Sequence, residues 1–261
     1  MNELVSGHVV QKRIEWLDWL KGVSIFMIIV SHTQNPIVYQ KVYTPIFLSS
    51  FFFVSGYTWN KSSSALQYLA KKCKTLGIPF VTLGLINTIL AVIADGDPFL
   101  ERFSCFLISR YGIWDDLWFI SCLFSMQFIF YVAFSRMNRE KDQMSIALVS
   151  LVISFVGYCY INITDVKLPW QFENACILIP FMALGYIYKG KVEEYLFQRI
   201  GYFSLFCASV VYVLLSIILV GENINVHGER YGFLPIFLFV AVFGTLLFAQ
   251  WGKRICDKNG G

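Results

Sequence analysis

Apolar residues gather in eight long runs along the chain, and short polar stretches separate each run from the next. The runs lie at about residues 15–32, 43–59, 76–94, 117–134, 144–163, 172–188, 200–220 and 233–251. A helix of about 20 apolar residues crosses the hydrocarbon core of a bilayer, and these runs are close to that length. The pattern therefore predicts an all-α, polytopic integral membrane helix bundle with about eight transmembrane helices, in a single domain over residues 1–261.

Two shorter segments do not fit this pattern. Residues 60–74 carry four lysines among apolar residues, a distribution typical of an amphipathic helix at the membrane surface. Residues 99–113 are too short and too interrupted to cross a membrane, so we expect a re-entrant or surface segment there.

The distribution of Lys and Arg predicts the orientation of the bundle, because cytoplasmic loops of membrane proteins carry an excess of both. With the amino terminus inside, 16 of the 21 Lys and Arg fall on the cytoplasmic side. The five on the other side are Lys41, Arg102, Arg110, Lys167 and Arg230. We therefore expect both termini in the cytoplasm and a multi-pass protein of the plasma or inner cell membrane.

Composition supports the membrane class and excludes others. Hydrophobic residues make up 57% of the chain, charged residues 15%, and the mean hydropathy is +0.60, far more apolar than a soluble domain of this size requires. The net charge of +4 is spread over loops and forms no aromatic-interleaved basic patch, so nucleic-acid binding is not expected. The seven cysteines include no CxxC pair and no nearby histidine at metal-ligand spacing, which predicts neither a metal site nor a disulfide framework.

The first apolar run carries ionisable residues within a membrane-length helix. Lys21 and His32 are eleven positions apart, which places them about 20° apart in azimuth and about 16 Å apart along the axis. Asp18 lies about 60° from Lys21. Because charge inside a membrane is costly unless it faces protein or water, we expect this face to be directed into the bundle. The alternative is an ordinary helix with Asp18 and Lys21 at one interface and His32 at the other.

Two motifs in the first two runs resemble a known family. They are LDWLKG at residues 17–22, followed by His32, and FFFVSGY at residues 51–57. Together they resemble the acyltransferase 3 family of membrane-bound O-acyltransferases, and within it the fucose 4-O-acetylase-like sugar acetyltransferase branch. The likeness continues in KKCKTLGIP at residues 71–79 and covers most of the chain.

Two departures from the family pattern bear on activity. Many members have arginine where this chain has Lys21, and lysine keeps the point charge but loses bidentate recognition. Members usually carry two further helices at the carboxyl end, so the resemblance implies a domain that lacks the family's last two helices.

The resemblance implies an O-acyltransferase, an O-acetyltransferase foremost. It would move an acyl group from cytoplasmic acyl-CoA to a hydroxyl of a cell-surface carbohydrate or lipid-linked glycan. Acetyl-CoA or another acyl-CoA would serve as donor substrate, with no bound cofactor. His32, Lys21 and Asp18 would be the catalytic residues, with His32 as the base for the hydroxyl proton and Asp18 paired with Lys21. The alternatives are a hydrogen-bonded core histidine at position 32 and a purely structural ion pair between Asp18 and Lys21.

The same resemblance suggests where the donor binds. Lys71, Lys72 and Lys74 lie where the phosphates of acyl-CoA would arrive, although positive-inside anchoring explains these lysines equally well without a ligand. Ser55 could line a donor channel, but no adjacent base marks it as a nucleophile.

Several interpretations stay open. His227, Glu229 and Arg230 belong to an outer loop, where they either meet the acceptor sugar or are simply solvated. Trp114 and Trp118 are typical of an aromatic belt rather than of a substrate platform. Two other functions compete with acyl transfer: a polytopic transporter or flippase for such glycans, with His32 and Asp18 as proton-relay groups, and an inactive truncated member of the family.

Overall fold

The computed structural model describes residues 14–33, 36–61, 64–109, 117–221 and 224–258. Its α-helices are α1 (Glu15–Ser31), α2 (Ile37–Tyr57), α3 (Ala65–Lys72), α4 (Ile78–Asp95), α5 (Phe99–Ile108), α6 (Trp118–Phe134), α7 (Gln143–Ile163), α8 (Phe172–Tyr188), α9 (Lys191–Arg199), α10 (Tyr202–Leu219) and α11 (Leu234–Lys258). Within these ranges the strand-like structure is limited to an isolated bridge between Asn225 and Arg230, which confirms the all-α prediction. Arg110 and Trp114 lie outside the described residues.

Five helical segments are both long and apolar enough to cross a membrane. They are Ile37–Tyr57, Ala65–Asp95, Gln143–Ile163, Tyr202–Leu219 and Leu234–Asp257. A sixth is formed if α8 and α9, which meet at a bend of 81°, are counted as one broken span. α6 is apolar but has 17 residues, and α1 has the same length and carries three charged residues. A polytopic membrane bundle is thus confirmed, while eight crossings and two cytoplasmic termini stay predictions.

α2 and α8 cross at the centre of the bundle, where two glycines let their backbones touch. A Cβ atom on Gly56 would lie 1.8 Å from the carbonyl oxygen of Met182, and one on Gly185 would lie 1.9 Å from that of Phe53. Small residues permit such close approach, and packing of this kind associates helices in lipid. The glycine of the Ser-Gly-Tyr motif at residues 55–57 is therefore a packing residue.

Contacts at one end of the bundle join four helices. The ring of Trp16 at the start of α1 meets Tyr57 at the end of α2 edge-on, with centroids 5.0 Å apart. Tyr57 donates a hydrogen bond of 2.8 Å to Glu193 of α9, and Glu193 pairs with Lys253 of α11 at 2.8 Å. We call this end the inner end, because the basic-residue distribution predicts that it faces the cytoplasm. The opposite end is the outer end.

α3 is tied into the bundle at the inner end, which differs from the expected helix on the membrane surface. The buried hydroxyl of Tyr68 donates to Oε1 of Gln127 at 2.5 Å and accepts from the indole N–H of Trp59 at 3.1 Å. A π-helical turn at Cys73–Gly77 then continues the helix into α4. Pro79 has no N–H to bond back to residue 75, and an interrupted hydrogen-bond ladder favours such a wider turn. Residues 65–95 therefore form one continuous helical segment.

α5 lies against α4 and is too short to cross. It has 10 residues, or about 15 Å, half of the hydrocarbon thickness. Its Phe106 fills the space beside Gly84, where a Cβ atom would lie 2.4 Å from the ring. The indole N–H of Trp170 donates to the carbonyl oxygen of Leu107 at 2.7 Å. The described residues 99–109 are thus a short packed segment, in agreement with the sequence expectation.

Candidate active site

The face of α1 that packs into the bundle is not the face that carries Lys21 and His32. Leu17, Leu20 and Ser24 are buried, whereas the side chain of Lys21 is 41% exposed. Lys21 and His32 lie about 65° to 90° around the helix from the centre of the stripe that these three buried residues form. Lys21 therefore borders the packed face, whereas His32 lines a cavity between the helices at the other end of α1. The expectation that their face is directed into the bundle is met at His32 and not at Lys21. The leucines supply the apolar area, and the charged side chain avoids the cost of desolvation.

Asp18 and Lys21 form an ion pair at the inner end. The Nζ atom of Lys21 lies 2.7 Å from Oδ1 of Asp18, and both side chains are partly exposed. A partly exposed pair of this kind stabilises a fold by about 1 kcal/mol at most. The pairing agrees with the sequence expectation, and about 16 Å of helix separates it from His32.

His32 caps the carboxyl end of α1 and lines a cavity of about 710 Å³ at the outer end of the bundle. Its side chain is exposed. The wall also includes Gln40 and Tyr43 from α2, Trp118 from α6, and His227 and Arg230 from the loop before α11. One of the predicted site residues is therefore placed in a cavity with polar and aromatic neighbours.

A tight turn carries His227 and Arg230 to this cavity. Asn225 and Arg230 exchange two backbone hydrogen bonds of 2.9 and 2.8 Å, which close the turn. The imidazole of His227 stacks on the indole of Trp118, with centroids 5.0 Å apart and planes inclined by 17°. Trp118 is therefore part of a cavity wall, which the aromatic-belt interpretation did not anticipate.

Glu229 belongs to the same turn, and its side chain is buried against the protein. It is 8% exposed, forms an ion pair with Lys167, and lies close to the carboxyl group of Glu173 at the start of α8. Because buried charges persist only when they are paired, the ion pair with Lys167 fastens the turn to the segment that precedes α8. The solvated-loop interpretation is wrong for Glu229 and for the half-buried His227. Arg230 is exposed and also lines the outer cavity, so both interpretations stay open for it.

A second cavity, of about 700 Å³, opens at the inner end beside the loop between α6 and α7. Its described wall contains four cationic residues and one carboxylate. These are Lys61, Arg136, Arg139, Lys141 and Glu140. The sequence identified this loop only as a topology signal, because the cavity depends on how the loop meets the end of α2.

The donor residues predicted from the sequence lie outside the described wall of this inner cavity, and Lys72 is connected to it through Tyr68, which bonds to the wall residue Trp59. Lys71 and Lys74 are exposed, and the Nζ atom of Lys72 lies 5.4 Å from the ring centre of Tyr68. Ser55 is half-buried in the last turn of α2. The described walls of the two cavities include none of these four predicted residues.

α2 extends from the outer cavity to the inner one. Leu48 lines the outer cavity and Trp59 the inner one, eleven positions or about 16 Å further along the chain. Phe52 is fully buried between these levels, and its ring packs on Phe119 with centroids 5.4 Å apart. A layer of buried apolar side chains therefore separates an imidazole-lined cavity from a cationic one.

This arrangement defines a polytopic helical membrane protein with a distinct cavity at each end of its bundle. The chain matches the family model described as an acyltransferase domain, Acyl_transf_3, over residues 14–258. It therefore belongs to the acyltransferase 3 family and is a membrane acyltransferase. No curated protein and no solved structure matches the chain. Within the described residues, no group of three or more His, Cys, Asp or Glu side chains is placed to hold a metal ion.

Proposed function

We propose that this protein transfers an acetyl group, or another acyl group, from cytoplasmic acyl-CoA to a hydroxyl of a cell-surface carbohydrate or lipid-linked glycan. The plasma or inner cell membrane is its location, and the outer cavity takes the acceptor. The observation that carries this proposal is the meeting of His32, His227 and Trp118 in one cavity. An imidazole can accept a hydroxyl proton near neutral pH, and an indole offers a large apolar face to a sugar ring.

In this proposal His32 is the general base. Its neutral imidazole takes the proton of the acceptor hydroxyl while the hydroxyl oxygen attacks the carbonyl carbon of the thioester. A new C–O bond forms, the tetrahedral oxyanion collapses, and the C–S bond breaks. The imidazolium then returns the proton to the departing thiolate, so the products are an ester and free CoA.

The oxyanion requires a positive neighbour while it exists. Arg230 lines the same cavity, and its guanidinium offers five N–H donors in a planar fork. We assign it that stabilising role. His227, held against Trp118 by ring stacking, positions the acceptor through a ring nitrogen.

The residues at the inner end serve the donor. Lys71 and Lys74 are exposed on the predicted cytoplasmic side, so they and Lys72 attract the negatively charged acyl-CoA to this end. To reach the outer cavity the thioester must cross the apolar layer around Phe52, and it does so along α2, where Ser55 lies half-buried. The ion pair of Lys21 and Asp18 contributes to the electrostatic field at the same end.

The test is ester formation by the purified protein in liposomes. Labelled acetyl-CoA is supplied on the inner side, carbohydrate acceptors are supplied on the outer side, and products are identified by mass spectrometry. We expect acylated carbohydrate and free CoA in equal amounts. Movement of a glycan across the bilayer without modification would favour the transporter alternative and overturn the proposal. A second experiment identifies the acceptor: surface glycans of cells with and without the gene are compared by mass spectrometry.

A further inference from the structure

The inner cavity is strongly cationic. Lys61, Arg136, Arg139 and Lys141 contribute four positive charges to its described wall, against the single carboxylate of Glu140. That carboxylate is directed to an ion pair with Lys191 at 3.4 Å. A concave surface with one sign of charge concentrates ions of the opposite sign.

The loop between α6 and α7, which supplies three of these cations, is held in place by its own hydrogen bonds. The side-chain oxygen of Asn138 accepts the N–H groups of Glu140 at 2.9 Å and Lys141 at 3.2 Å, while the N–H of Asn138 donates to Asp142 at 2.7 Å. A loop ordered in this way loses little entropy when a ligand binds.

Aromatic rings position one of the cations and line the interior of the cavity. The guanidinium carbon of Arg139 lies 5.6 Å from the ring centre of Tyr186, and Tyr186 meets Trp59 edge-on with centroids 5.1 Å apart. Both rings are buried and belong to the cavity wall. The cavity thus combines a cationic rim with an apolar interior at the end of α2, and its 700 Å³ falls in the usual range for small-molecule sites of about 300 to 1,000 Å³.

We propose that this cavity binds the phosphate groups of coenzyme A, with Arg136 and Arg139 as the principal contacts and Lys61 and Lys141 beside them. Guanidinium groups bind phosphate through paired hydrogen bonds, which lysine cannot do. The aromatic interior leaves an apolar entrance for the pantetheine arm next to α2. The choice of ligand rests on the proposed function, whereas the phosphate chemistry of the cavity does not.

The experiment measures binding of free CoA, without an acyl group, to purified protein in nanodiscs of neutral lipid. Arg139→Gln should weaken CoA binding about tenfold or more, because a hydrogen-bonded charge pair is lost. Arg136→Gln should do the same, and inorganic pyrophosphate should compete for the site. The matched control is Arg199→Gln, since Arg199 also lies over a tyrosine ring, Tyr195 at 5.6 Å, but outside the cavity. It should bind CoA as the unmodified protein does.

Each outcome is decisive. Unchanged CoA affinity in Arg136→Gln and Arg139→Gln, in folded protein, overturns the proposal. Loss of CoA binding in a Lys71→Gln, Lys72→Gln, Lys74→Gln variant, with the cavity variants unaffected, moves the donor site to α3 and also overturns it. Binding of a short-chain phosphatidylglycerol but not of CoA would identify the cavity as a lipid headgroup site and would also overturn the proposal. If CoA binds through Arg139 but no ester forms, the proposed function fails and this inference stands.

Discussion

Replacing His32 by alanine tests the proposed base at a position where the side chain has little packing to lose. It is exposed and lies one residue beyond the end of α1. We expect the rate of acyl transfer to fall by about 10²- to 10⁴-fold, the usual contribution of a general base. Abundance in the membrane should not change. Rates measured in isolated membranes, normalised by immunoblot, check both.

The control for His32 lies on the same helix. Phe26 is 65% exposed and about 120° around α1 from His32, so Phe26→Leu should leave the rate nearly unchanged. Normal acyl transfer by His32→Ala at normal abundance would mean that the imidazole is not the base.

Lys21 separates the effect of charge from the effect of side-chain shape. Lys21→Arg keeps the positive charge beside Asp18 and should retain activity within a few fold. Lys21→Ala removes it and should lower activity strongly, while costing at most about 1 kcal/mol of stability because the pair is partly exposed. Activity per folded molecule and thermal unfolding in detergent give the two readouts. Equal activity in both variants would show that the charge has no catalytic use.

His227 is tested by a variant that keeps its stacking. His227→Phe preserves an aromatic ring against Trp118 but removes both ring nitrogens. If a nitrogen positions the acceptor, this variant should raise the acceptor KM about tenfold or more, with the acyl-CoA KM unchanged. Steady-state kinetics with each substrate varied in turn measures the two KM values separately. A normal acceptor KM in His227→Phe would reduce the residue to a packing role.

At the scale of elements, the crossing of α2 and α8 is the most demanding contact. Gly56→Ala and Gly185→Ala each place a methyl group within 2 Å of a backbone carbonyl oxygen, which no rotamer change can relieve. The two helices must move apart, so we expect marked loss of thermal stability and of folded protein. Gly22→Ala in α1 is the control, because nothing lies within 4 Å of its Cβ position and alanine favours a helix. Fluorescence-detected size-exclusion chromatography after heating compares the thermal stability of the three variants. A Gly56→Ala protein as stable as the unmodified one would contradict this crossing.

At the scale of the whole molecule, the two cavities must face opposite sides of the membrane. Topology reporters fused after Asn60 and after Asn138 should be cytoplasmic, and one at the exposed Gly221 should be external. The reason is the distribution of Lys and Arg, 16 of 21 of which fall on the predicted inner side. An external reporter after Asn60 would place the cationic cavity outside and remove it from cytoplasmic acyl-CoA.

The class of protein could be predicted from the sequence, whereas the arrangement of the site could be predicted only in part. The apolar runs predicted the helices closely, since hydropathy acts on each segment locally. The motifs around Lys21, His32 and Ser55 predicted the acyltransferase family, which the match over residues 14–258 confirms. The surroundings of Lys21 were misjudged while those of His32 were not, because helical periodicity shows which residues share a face but not which part of that face the neighbouring helices cover.

The sequence by itself determined a helical membrane protein, predicted its orientation and singled out His32, because composition, local hydropathy and short motifs act over neighbouring residues. Only the tertiary structure placed His32 with His227 and Trp118, residues separated by most of the chain. It alone also joined Lys61 to Arg139 in the inner cavity, and made Gly56 a packing residue. These arrangements follow from how helices cross and how closely their backbones approach, and that depends on contacts between residues far apart in sequence.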